Sequence, residues 1–191
     1  SVFAGGPGTG SVAQYFSEVS FGQQFLNPIV TPWLSTNAAT PAGCNWQQMG
    51  TLGRNAASAA GYNVASYQNV VYVFPQANSC GWLGLAIVGA SGVWINGRNS
   101  TSVYGHELGH NFGLLHAGSL RCSGVTIGGA CSVSEYGDPF DIMGNQSAMH
   151  LNAAQKLDLG WIGTGTVVTH GAGTGTYVLN PVETAGGGLY A

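Results

Sequence analysis

Apolar positions recur at helical spacing in residues 11–20 (SVAQYFSEVS), where Val12, Tyr15, Phe16 and Val19 share a face and Phe21-Gly22 closes the segment. Residues 45–60 repeat the pattern with Trp46, Met49, Leu52, Ala56 and Ala59, and Gly61 supplies the stop. Residues 68–75 (QNVVYVFP) form a β-branched and aromatic run that predicts a strand. Residues 83–96 predict one or two more, around the glycines at 89 and 92. Residues 25–34 read as an edge or bent strand, because Pro28 and Pro32 each lack a ladder donor. A helix over 102–113 carries no clear compositional signal. An irregular stretch follows over 117–145, then a last helix over 150–159 (HLNAAQKLDL) ending at Gly160. Beyond Trp161, the Thr/Val-rich runs 166–170 and 176–180 flank GAGTG and predict a hairpin. A lone hairpin is marginally stable, so it either packs on the main body or opens a further β-domain.

This mixture predicts an α+β fold. The 191 residues suit one domain, and residues 163–191 form a distinct Thr/Gly-rich end. Composition removes several function classes. Charged residues are 6% of the chain, against about 25% in an ordinary soluble domain. Four cations and a net charge of −3 cannot neutralise a run of phosphates, which argues against a nucleic-acid partner. No apolar run is long enough to span a membrane. Cys44, Cys80, Cys122 and Cys131 form no CxxC pair, and their even count and wide spacing point to two disulfides and an oxidising compartment. Three pairings are open; local loop closure favours Cys122–Cys131, which leaves Cys44–Cys80. Residues 1–5 carry no signal-peptide pattern, so a secreted form would be an already trimmed one.

The chemistry concentrates in His106-Glu107-Leu108-Gly109-His110-Asn111-Phe112-Gly113-Leu114-Leu115-His116, the pattern HExxHxxGxxH. Its five fixed positions would coincide by chance on the order of 10⁻⁵ times in a chain of this composition. Four residues apart on a helix, His106 and His110 leave the same face one turn apart. Gly113 gives the backbone freedom to turn back, so that His116 becomes a third ligand. Three nitrogens leave a coordination position open, the catalytic rather than the structural pattern of zinc. Glu107 projects about 100° round the helix, placed to take a proton from a zinc-bound water and to deliver it to a leaving amine.

This pattern resembles the metzincin metalloproteases, whose second hallmark is a methionine turn beneath the zinc. The matching stretch is residues 136–144 (YGDPFDIMG), which makes Met143 the floor of the metal pocket. Ala117 stands where reprolysin-like members carry Asp, and Asn145 where astacins and serralysins carry Tyr. The blocks HELGHNFGLLHA, EYGDPFDIMG and HLNAAQKLDLGW look most like the gametolysin family of secreted zinc endopeptidases. The resemblance implies a metzincin-type catalytic domain over residues 1–162. Its upper lobe (1–113) would hold a twisted mixed sheet and the zinc helix. Its irregular lower lobe (114–162) would hold the methionine turn and the last helix. It also implies a substrate strand pairing with an edge within 83–94, a pocket lined by the segment from Met143 through His150, and a removed propeptide.

The remaining residues receive smaller roles. His150 and Trp94 are candidate substrate-pocket residues, and His170 is solvated. Trp33, Trp46, Trp82 and Trp161 read as packing aromatics, and Glu18, Glu135, Asp158 and Glu183 as surface charges. Asp138 and Asp141 are expected to accept backbone N–H bonds in the methionine turn; calcium is an alternative there that no further residue supports. The expectation is a secreted, extracellular, monomeric zinc endopeptidase acting on protein or peptide substrates. Two rivals are a catalytically inactive, zinc-containing peptide-binding module and a zinc hydrolase of a non-peptide bond.

Overall fold

A computed structural model describes residues 2–3, 10–124, 129–144, 150–186 and 188–190. Helix α1 (Val12–Val19) starts at Ser11, whose hydroxyl accepts the Gln14 N–H at 3.2 Å, and it buries Val12, Tyr15, Phe16 and Val19. Helix α2 (Trp46–Ala59) is capped in the same way by Asn45. Strands β1 (Val71–Phe74), β2 (Gly84–Ala86) and β3 (Val93–Asn96) form one sheet in the order β1-β3-β2. β1 runs parallel to β3 (Val71 beside Val93) and β2 antiparallel to it (Gly84 beside Ile95), so β2 is an edge. The central strand β3 is buried at all four positions. This is the α+β mixture that the hydrophobic pattern predicts.

Alternation along β3 sends its side chains to two layers. Val93 and Ile95 join the residues of α1, together with Val103, Tyr104 and Leu108 of helix α3 (Thr101–Asn111), in one core. Leu114, Ile142, Met143 and Leu151 complete that core from below. Trp94 points the other way, stacked on Tyr72 at 5.3 Å and edge-on to Trp46 at 4.8 Å. α2 packs there through Gly50, where a Cβ would stand 3.0 Å from the Trp94 ring. Buried Asn96 accepts the Ala77 N–H and donates to the carbonyls of Ala77, Cys80 and Trp82. The loop it anchors is joined to the start of α2 by the Cys44–Cys80 disulfide. The second disulfide is Cys122–Cys131, the other half of the favoured pairing.

Three expectations need correction. Residues 25–34 form no strand: each proline removes a donor, no neighbour supplies a ladder, and Phe25 and Trp33 are 71% and 77% exposed. Trp33 is therefore not a packing aromatic. Second, the stretch read as irregular contains an antiparallel hairpin, β4 (Ser119–Cys122) with β5 (Cys131–Ser134). The disulfided cysteines sit opposite each other in its register, so the covalent link and the ladder reinforce one another.

Third, the runs at 166–170 and 176–180 do not pair as a hairpin. β6 (Leu179–Asn180) instead runs parallel to β7 (Leu189–Tyr190). Across GAGTG the contact is made by side chains, with His170 bonded to the Tyr177 hydroxyl (2.7 Å) and the Gly173 carbonyl (3.0 Å). This end is held against helix α4 (Ala153–Asp158), the core of the predicted last helix, by Lys156. That fully buried ammonium donates to the Val182 carbonyl at 2.6 Å and lies 3.9 Å over the Phe21 ring; burial lowers its pKa to about 8. Among the described residues no helix is long and apolar enough to cross a membrane.

Candidate metal centre

From Val103 to Asn111, α3 is buried on every side. Two glycines make that possible. Each costs about 1 kcal/mol in helix propensity relative to alanine. A Cβ on Gly105 would meet Ile142 at 2.8 Å, and one on Gly109 would meet the Met143 sulfur at 2.5 Å. The helix therefore rests directly on the turn that carries Ile142 and Met143, with His106 and His110 beside it.

Its C-terminus is a Schellman motif. Gly113 takes φ +105°, its N–H reaches the His110 carbonyl at 2.9 Å, and the Leu114 N–H reaches the Gly109 carbonyl at 3.0 Å. The chain turns back at this point and delivers His116. Backbone bonds then fix the next residue from two directions: the Ala117 N–H donates to the Met143 carbonyl (3.0 Å), and the Asp138 N–H to the Ala117 carbonyl (3.1 Å).

The ligand nitrogens of His106, His110 and His116 lie within 4.8 Å of one another. Every Nδ1 faces a group that can only accept: the Ile142 carbonyl at 2.7 Å, the Leu114 carbonyl at 2.8 Å and the Glu135 carboxylate at 2.6 Å. Each Nδ1 must then carry the proton, so in the neutral rings each Nε2 presents a lone pair. Nε2 of His110 and His116 are 3.1 Å apart. Two facing lone pairs repel unless a cation lies between them. Nitrogens about 2.0–2.1 Å from a tetrahedral ion would stand roughly 3.3 Å apart. The residues fit a metal ion. Burial also pushes the two helix imidazoles toward the neutral, metal-ready form: it lowers His106 to about 4 and moves His110 downward.

The family model described as Gametolysin peptidase M11 matches residues 1–187. The chain belongs to the gametolysin peptidase family. No curated protein and no solved structure matches it. Family and triad agree on a metallopeptidase, and the match continues through the Thr/Gly-rich end that lies against α4.

In this gametolysin-family chain Glu107 is 4% exposed, and desolvation raises its carboxyl to about 8. Edge strand β2 closes over it at Gly84, where a Cβ would come within 2.6 Å of the Glu107 Cγ. Met143 is fully buried. Asp141 builds its turn, accepting the Met143 N–H and the Asn152 N–H at 2.7 Å each. Asp138 accepts the Phe140 N–H and the Asn152 side-chain amide. Both aspartates thus take the turn-fixing role expected of them. Asp141→Ala would leave two backbone donors without their carboxylate. It is expected to cost about 2–4 kcal/mol in urea melts.

Of the two candidate pocket residues, Trp94 faces away from the triad helix. Trp94 is 5% exposed and faces α2, on the sheet layer opposite α3, because its parity along β3 is opposite to that of Val93 and Ile95. His150 pairs its backbone carbonyl with the Ile142 N–H, and its ring Nδ1 stands 3.2 Å from the Leu151 carbonyl. Burial lowers its pKa, and the charges acting on it are Lys156, Glu183 and Glu18 rather than the triad. The adjoining pocket segment, 145–149, lies outside the described residues.

Glu135 is the surface charge it was read as, but its contact with the His116 ring was missed, as was Tyr136, whose ring centroid is 3.9 Å from that of His116. Their one signal was that both open the EYGDPFDIMG block.

Proposed function

We propose that this protein is a secreted, zinc-dependent endopeptidase of the metzincin type. The observation that carries the reading is the convergence of three imidazoles whose Nδ1 protons are all committed elsewhere, beside a buried carboxyl. His106, His110 and His116 would hold the ion, and zinc there would supply a Lewis acid able to bring the pKa of water toward neutrality and polarise a carbonyl. Glu107 accepts the proton of the attacking water and passes it to the departing amine. Burial under β2 favours the protonated carboxyl in the metal-free protein, and a cation held by the triad would offset that and favour the carboxylate that accepts the proton. Met143 floors the pocket, and Gly109 keeps helix and floor in contact.

The outer edge of β2 has no strand partner among the described residues, which suits an extended peptide adding itself there. Scarce charge favours apolar or small residues near the scissile bond. Two disulfides accord with an extracellular setting.

Casein and a fluorogenic peptide library, each with and without a chelator, test the reading. The expected result is internal cleavage that the chelator stops and added zinc restores. Peptide binding without cleavage would select the inactive binding module, and hydrolysis confined to esters or glycan-linked amides the non-peptide hydrolase.

A further inference from the structure

The three ligands are held by unequal means. His106 and His110 stand on a buried helix, and their Nδ1 protons are fixed by main-chain carbonyls that cannot move without the fold. His116 follows the Gly113 bend in irregular chain, its side chain is 19% exposed, and its Nδ1 partner is the side chain of Glu135 at 2.6 Å. The residue after His116 is Ala117, so the carboxylate arrives from a different part of the chain.

The β4–β5 hairpin brings it there. Ser119 pairs with Ser134, so the strand ends beside His116, and the Gly137 N–H closes a turn on the Ser134 carbonyl at 3.1 Å. Gly118 and Gly137 permit the approach: a Cβ on the first would stand 3.0 Å from the Ser134 carbonyl, and one on the second 2.7 Å from the Ser119 nitrogen. The turn presents Glu135 to the His116 edge and the Tyr136 ring to its face.

We propose that Glu135 is a positioning residue for the metal: it orients the His116 ring, holds its proton on Nδ1 and strengthens Nε2 as a donor, and so sets how tightly this chain holds its ion. The proposal rests on the metallopeptidase reading above. A carboxylate on the far nitrogen of a ligating histidine fixes the tautomer and raises ligand basicity, and its loss typically weakens metal binding about 10–100-fold. Glu135 is itself 71% exposed, and a polar contact that open to water adds little to folding stability. Metal affinity and fold stability should therefore separate when it is changed.

The test titrates metal-free wild type, Glu135→Ala and Glu135→Gln with zinc against a chromophoric chelator. Cobalt(II) spectra report the site geometry, and melts of the metal-free forms report the fold. Wild type should bind one ion. Glu135→Ala should bind it about 10–100-fold more weakly, with an altered cobalt spectrum and an unchanged metal-free melt. Glu135→Gln keeps an acceptor oxygen without the charge and should fall between them. Wild-type affinity and spectrum in Glu135→Ala would overturn the proposal while leaving the metal site standing. A weakened affinity matched by a lower metal-free melt would also overturn it, marking Glu135 as a support of the hairpin. A wild type that takes up no ion would remove the metallopeptidase reading and this one together.

Discussion

Replacing Glu107 by glutamine is expected to lower kcat/KM on a peptide substrate by about 10³-fold while the protein still takes up its ion. The variant is close to isosteric, so it fits under Gly84, where little spare volume exists. It leaves the three imidazoles and their Nδ1 partners untouched. What it removes is the ability to accept a proton: an amide neither takes one from water nor returns it to an amine. A 10³-fold loss corresponds to about 4 kcal/mol of transition-state stabilisation. Initial rates on a fluorogenic peptide, with metal content measured on the same samples, separate the outcomes. Near-wild-type rates with metal retained would show that Glu107 is not the base. Lost metal would show that its carboxylate supports the ligands instead.

What the sequence disclosed and what it hid divide along the range of the interactions. The triad was legible because its geometry is local: four residues set two rings on one helical face, and Gly113 permits the reversal that brings in the third. α3 itself was harder to read. It is buried all round, so Leu108 and Val103 have no polar face to alternate with, and the glycines at 105 and 109 read locally as helix-weakening. Their reason, close contact with Ile142 and Met143, lies more than thirty residues away in the chain. Glu135 is exposed as read, but its partner was hidden for the same cause: only the β4–β5 register brings it to His116. The apolar run Phe25 to Leu34 misled in the opposite sense, since its β-propensity finds no adjacent strand to pair with. At the far end, GAGTG was read as a hairpin turn, but the bonds across it come from His170 and Tyr177 rather than from a ladder.

The buried site should also shape how stability depends on pH in metal-free protein. Burial raises the Glu107 carboxyl from an ordinary 4.5 to about 8, so between those values the folded chain holds a proton that the unfolded chain releases. Stability must then fall as pH rises through this window. His106, lowered from 6.5 to about 4, acts in the other direction: below 6.5 the unfolded chain takes up the proton first, so stability falls as pH drops toward 4. The slopes oppose each other between 4.5 and 6.5, where His110 and His150, also lowered by burial, add to the His106 side, and from 6.5 to about 8 the Glu107 limb prevails. Glu107→Gln deletes that limb. Urea melts in chelator at pH 5, 6.5 and 8 should show the variant gaining on wild type by about 1.4 kcal/mol per unit, up to roughly 4 kcal/mol at pH 8. Parallel curves for the two proteins would mean that Glu107 ionises freely, and the buried proton carrier would be lost with them. Zinc should stabilise wild type more at pH 8 than at pH 5, because a cation beside the carboxylate offsets its desolvation and because protons compete for the imidazoles at the lower pH. The same burial that holds a proton on Glu107 therefore makes the metal-free fold weakest in mildly alkaline solution.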